Sequence, residues 1–173
     1  MPFSLYDAVV PSNIQILEAL DQVLQKAKSF CVERGSPEAE MIDARLAPDM
    51  QPLGYQVKSC AVHSIGAVEG AQAGSFSPDW SAWPTDFDGL RDVLQRAGAA
   101  LHALDRDRVD GLTGTDMNIL AGERKLPFNS ANFLLSFSQP NFYFHATTAY
   151  AILRAQGVDL AKRDFLGTIR ANR

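Results

Sequence analysis

Between Pro11 and Gly35, apolar residues recur at intervals of three and four. Leu17, Leu20, Leu24, Ala27 and Cys31 form one seam, and Ile16, Val23 and Phe30 widen it. A stripe that broad belongs to a long helix buried against two neighbours. The Pro11-Ser12 punctuation starts the helix and Gly35 ends it as a C-cap. The rest of the chain has to supply the neighbours.

It does so in three further places. A short helix follows in PEAEMIDAR, with Ser36 as N-cap and Pro37 in its first position. A second long helix spans about Met50 to Glu69, capped by Asp49, with Leu53, Val57, Cys60 and Ala61 inward. Pro52 is tolerated in its first turn, where a missing N–H costs nothing. The Gly/Ser/Pro-rich stretch from Gly70 to Pro84 reads as a loop carrying Trp80 and Trp83. Thr85 then caps a third helix over about Asp86 to Leu104, with Phe87, Leu90, Val93, Leu94, Ala97 and Leu101 inward. From Gly111 to Phe128 the period changes, predicting a small β-hairpin around Gly122 whose second strand Pro127 keeps at an edge. The last long helix begins near Ser130 and ends at Gly157, kinked or restarted at Pro140. The fold class predicted is mainly α: an antiparallel four-helix bundle with a small β-hairpin before the last long helix, in a single domain over residues 1–173.

Composition sets limits on function. With 173 residues and a hydrophobic fraction of 46%, the chain needs no metal or disulfide merely to fold. A net charge of -4 without any basic run provides nothing to neutralise phosphates, so nucleic acid is not an expected partner. No window approaches the ~18 apolar residues of a membrane span, and the N-terminus lacks a secretory signal, so a cytoplasmic location and no membrane partner are expected. Cys31 and Cys60 sit in apolar helical contexts and read as buried free thiols.

No HExxH or HxxxH pair, GxSxG elbow or phosphate-binding glycine loop is present. Three histidines carry what chemistry there is. His145 lies in the apolar segment PNFYFHATTAYAILR, where a buried imidazole needs partners for both nitrogens, and Asn141 is the polar residue one turn away. His63 falls seven residues after Gln56, on the same helix face, as a partly exposed rim residue. His102 sits where a helix C-terminus favours a protonated ring. The phenylalanines from Phe128 to Phe144 read as core packing, and Tyr6-Asp7 is placed to pair with the Lys162-Arg163-Asp164 tail.

The segments SLYDAVVP, DARLAPDMQPLGYQV, PNFYFHATTAYAILRAQGV and KRDFLG, spread over nearly the whole chain, resemble an uncharacterised family of bacteria and fungi grouped with the DinB/YfiT-like superfamily. That resemblance implies a four-helix bundle, often dimeric, with a site between the helices. Metal-binding relatives hold a divalent ion with a histidine on the second helix and an HxxxH pair on the last, and some are thiol-dependent transferases or isomerases. At the matching positions this chain has Gln56, Asn141 and His145. An amide oxygen is a far poorer ligand for zinc or nickel than imidazole, so no metal and no cofactor are expected.

The function expected is small-molecule binding, or metal-independent catalysis with His145 as acid/base, in a pocket formed by Gln56, Asn141 and His145. A homodimer is expected, and two alternatives remain: a non-catalytic structural or interaction homodimer, and a metal-dependent transferase or isomerase with a degenerate site. A ligand site predicts an open cavity reaching the three side chains; a structural role predicts an enclosed imidazole.

Overall fold

The computed structural model describes residues 3–171. In chain order the elements are α1 (Leu5–Arg34), α2 (Glu38–Ile42), α3 (Leu53–Val62), α4 (Ile65–Ala73), β1 (Ser75–Phe76), α5 (Phe87–His102), α6 (Arg106–Asp110), β2 (Asp116–Ala121), β3 (Arg124–Asn129), α7 (Ser130–Asn132), a π-helical turn (Phe133–Ser138), α8 (Gln139–Ala155) and α9 (Lys162–Leu166). Helix α1 packs on α5 and α8, and α3 packs on the same two, so each of these four helices touches two others. The chain is thus mainly helical with a small three-stranded sheet. Among the described residues no helix is long and apolar enough to cross a membrane.

Helix α1 starts earlier than the punctuation at Pro11 predicts. Ser4 and Asp7 form a capping box, each side chain taking the other's backbone N–H. Arg106 then ties the extension down, with Nη1 2.8 Å from the Asp7 carboxylate and its guanidinium 4.4 Å above the Tyr6 ring. These contacts hold the first turns in place although Pro11 inside the helix lacks an N–H. Arg106, not the C-terminal tail, is therefore the partner of Tyr6-Asp7. The tail reaches α1 elsewhere: Lys26 pairs with Asp164 at 2.7 Å and Gln15 donates to the Leu166 carbonyl.

The predicted second helix is two. It begins at Leu53 with Pro52 at the N-cap position rather than Asp49, and it stops at Val62. His63 ends it, Ser64 departs from helical geometry, and α4 resumes at Ile65. The bend lays α4 along β1, where a Cβ on Gly70 would stand 3.1 Å from Phe76 Cβ and from the Ser75 carbonyl. No glycine or proline marks the break itself, which is why periodicity runs through it.

The hairpin lies where predicted, with β3 at the edge carrying Pro127. The two-residue strand β1 was not foreseen; it pairs parallel to β2, Phe76 opposite Ile119. Asp86 rather than Thr85 caps α5, accepting from the Gly89 N–H. Pro37 takes the N-cap position of α2 in place of Ser36. The last helix restarts, as Pro140 requires: a π-helical turn precedes it and α8 begins at Gln139 with the proline in its first turn. Cys31 and Cys60 are buried and unpaired.

Gly98 lies inside α5, buried, with no atom within 4 Å of where a Cβ would stand. It lines a cleft of about 310 Å³ between α1 and α5, together with Leu17, Asp21 and Leu94. Its backbone is helical and the space is open, so alanine fits without strain. Gly98→Ala is expected to raise unfolding free energy by ~0.5–1 kcal/mol in urea titration, by restricting the unfolded chain.

Candidate functional site

The site sits where α3 faces α8. His145 Nδ1 lies 2.7 Å from Gln56 Oε1, and Gln56 Nε2 donates to the Gln51 carbonyl at 2.9 Å. The second bond orients the amide: its NH₂ must face Gln51, so its oxygen faces the ring. An oxygen can only accept, so His145 carries its proton on Nδ1 and presents a lone pair at Nε2. A backbone carbonyl, an amide and an imidazole thus form a chain that sets the tautomer, as a carboxylate does for the histidine of a hydrolase triad.

Both partners are buried, Gln56 to 2% and His145 to 8% relative exposure. Nε2 of His145 makes no hydrogen bond to the described residues. It is not sealed off either: among their buried polar side-chain atoms only Asn13 Oδ1 is enclosed without a partner. Burial lowers the His145 pKa to about 4, so the ring is neutral at pH 7.

His63 is the residue that sequence analysis set at the rim. Its ring stacks on that of His145, centroids 5.5 Å apart and planes within 18°. Its Nδ1 lies 3.4 Å from Ser138 Oγ, whose hydroxyl donates to the His63 carbonyl at 2.9 Å. The pKa of His63 also falls to about 4, first through burial and then through repulsion from His145. Gln56 on α3 and His63 at its C-cap are seven residues apart; Ser138, closing the π-helical turn, and His145 on α8 are also seven apart. Running in opposite directions, the two segments form two rungs, Gln56 with His145 and Ser138 with His63. The heptad spacing of both pairs was in the sequence, but the restart at Pro140 hid Ser138 from a simple helical projection.

Asn141 does not join this network. It is half-buried, and its amide nitrogen donates to the Phe137 carbonyl at 2.7 Å, one turn back on its own chain. Of the three positions named from sequence, the structure links Gln56 and His145 only, and the clefts of about 310–380 Å³ described on the molecule are lined by other side chains rather than by the three expected to share an open cavity. His102 is remote from them, at the end of α5, 3.3 Å from Glu18.

Aromatic side chains wall the pair. Tyr55 and Phe144 set edges against His145 at 5.9 and 5.4 Å, and Phe76 and Phe137 lie beside His63. Tyr55 also stacks with Trp80 at 6.1 Å and meets Trp83 edge-on. The loop bearing both tryptophans is strapped to α3 by Lys58, whose ammonium donates to the carbonyls of Asp79 and Ser81. Trp83 covers Gly54, where a Cβ would come within 2.1 Å of its indole. No three histidine, cysteine, aspartate or glutamate side chains among the described residues are grouped to hold a metal ion. Cys60 is fully enclosed; burial pushes its thiol pKa up, and its S–H is directed to the Gln56 carbonyl.

This chain belongs to the family described as domain of unknown function (DUF1993), whose model matches residues 5–166. A solved structure of a DinB family member protein from Shewanella denitrificans is similar over 98% of this chain and 95% of that one, at 25% identity and a TM-score of 0.82. No curated protein matches the chain.

The lowered histidine pKa values have a consequence for stability. An unfolded histidine takes up its proton near pH 6.5, whereas His63 and His145 resist it until about pH 4. Between those values the unfolded state binds more protons, so stability present above pH 6.5 is lost as pH falls towards 4. Denaturant unfolding from pH 7.5 to 4 should show this loss. ¹⁵N spectra should keep His145 as the neutral Nδ1–H tautomer down to about pH 5.

Proposed function

We infer that the protein binds a small molecule at the α3–α8 site without a metal, with His145 Nε2 as hydrogen-bond acceptor or, if a reaction follows, general base. The single observation that carries this reading is that Nε2 is left unpaired while every other polar atom of the Gln56–His145 pair is committed. Nε2 is open to partners from solution, so a ligand donor can take the place of water there. Asn141 belongs to this reading as a neighbour one turn below His145, able to turn from the Phe137 carbonyl to a ligand.

The scaffold is read as a DinB-like four-helix bundle of α1, α3, α5 and α8, supported by the likeness to the Shewanella denitrificans protein and by the pairing of those helices. Its metal site is read as degenerate. The donors do not fit a zinc or nickel centre: Gln56 Oε1 is spent on His145, and only one of the three positions is an imidazole. The buried free thiols Cys31 and Cys60 suit a reducing compartment such as the cytoplasm.

The test is a thermal-shift screen of small molecules on wild-type protein, repeated on His145→Ala and Gln56→Leu. Stabilising compounds should lose their effect in both variants, and elemental analysis of the purified protein should find less than stoichiometric metal. One zinc or nickel per chain, lost in His145→Ala, would overturn the reading. So would compounds that bind His145→Ala undiminished.

A second reading, a structural homodimer, is favoured by large apolar side chains left outside: Phe144 at 56% and Trp80 at 73% exposure, both next to the site. Sedimentation at rising concentration should then give a dimer that Phe144→Asp dissolves. A monomer throughout would remove it.

A further inference from the structure

His145 is not the only imidazole in the site with a nitrogen to spare. The Ser138 hydroxyl hydrogen goes to the His63 carbonyl at 2.9 Å, so toward the His63 ring Ser138 Oγ offers lone pairs. The His63 Nδ1 that faces it must therefore be the donor, and the other nitrogen, Nε2, carries a lone pair. Like its counterpart in His145, His63 Nε2 has no partner among the described residues and is not enclosed. The rings are nearly parallel with centroids 5.5 Å apart. With the two rings neighbours, their free acceptors belong to one place on the molecule.

We propose that His63 is a second binding residue of the His145 site, and that the two histidines together take a small planar molecule bearing N–H donors and no negative charge, of amide, urea or amidine type. This rests on the reading of His145 as a ligand-binding residue. Two imidazole lone pairs repel the oxygens of a carboxylate or phosphate and can be satisfied only by donors. Lys58, the cation on the same helix, cannot offset an anion here, because its ammonium is held by Asp79 and Ser81 oxygens and is almost wholly buried. The walls argue for flatness: Tyr55 and Phe144 flank His145, and Phe76 and Phe137 flank His63.

Benzamide and benzamidine test the proposal against benzoate, a probe of the same size and opposite hydrogen-bonding character. In ¹⁵N-labelled protein, benzamide or benzamidine should shift Nε2 of both His63 and His145, and benzoate should shift neither. Whichever of the two binds tighter tells whether the ligand is neutral or cationic. His63→Phe keeps a flat ring against His145 and should weaken the better probe about tenfold, the loss of one hydrogen bond. Should that variant fail to fold, the wild-type nitrogen shifts decide alone. Binding that moves His145 but not His63, or that His63→Phe leaves unchanged, overturns the proposal while the His145 site stands. Benzoate binding as well as benzamide, or no binding by either N–H probe, also overturns it. The His145 reading itself falls if compounds from the wider screen bind His145→Ala undiminished, or if a stoichiometric metal is lost in that variant.

Discussion

The bond between Gln56 and His145 joins α3 to α8 through two buried polar side chains. Between neutral groups its net worth is ~1 kcal/mol, but losing either partner would strand a polar group in the core at ~1–3 kcal/mol. That asymmetry makes it a determinant of register. Sliding α8 by one residue along α3 would separate Gln56 from His145 and Ser138 from His63 at once. The apolar residues around them, Leu53, Val57, Phe142, Ala146 and Ala149, could tolerate such a shift far better.

Much of this was legible from residue order. The seam from Ile16 to Cys31, the hairpin around Gly122 and the restart at Pro140 follow from period and punctuation, which are local properties. The early start of α1 was not legible in the same way, because Pro11 overrides the weaker signature of Ser4 and Asp7, and Arg106 is a hundred residues away. The break at His63-Ser64 has no local cause at all; it exists because α4 must lie along β1. His145 stood out as an imidazole in an apolar segment and Gln56 by its position in a resemblance, and the structure brings them together. Asn141 was identified as the polar residue one turn from His145, yet its amide finds a partner of its own in the Phe137 carbonyl one turn back. His63 appeared peripheral because it lies two turns beyond Gln56, at the end of α3, and nothing local shows that Ser138 and His145 meet it there.

The walls of the site depend on a segment with no regular structure of its own. Residues 77–86 hold their course because Lys58 gathers the Asp79 and Ser81 oxygens and because Trp83 fills the slot over Gly54. Burying an ammonium is costly unless its hydrogens are all taken, and here they are. The effect reaches the histidine through Tyr55, which touches both tryptophans on one side and His145 on the other. Composition marks such a stretch as a loop; only tertiary contacts turn it into a wall.

The choice of an amide to orient His145 also fixes what the imidazole can do. A carboxylate in the place of Gln56 would stabilise the protonated ring and raise its pKa, making it a stronger base and a group that titrates near neutrality. An amide oxygen orients the ring as well but contributes no charge, so burial prevails and the pKa settles at about 4. His63 is lowered likewise, first by its own burial and then by repulsion from His145. Across the ordinary pH range the site is therefore a constant acceptor whose charge does not change. That suits recognition of a donor-bearing molecule more than the repeated proton transfer of acid–base catalysis, where a pKa near the working pH is an advantage.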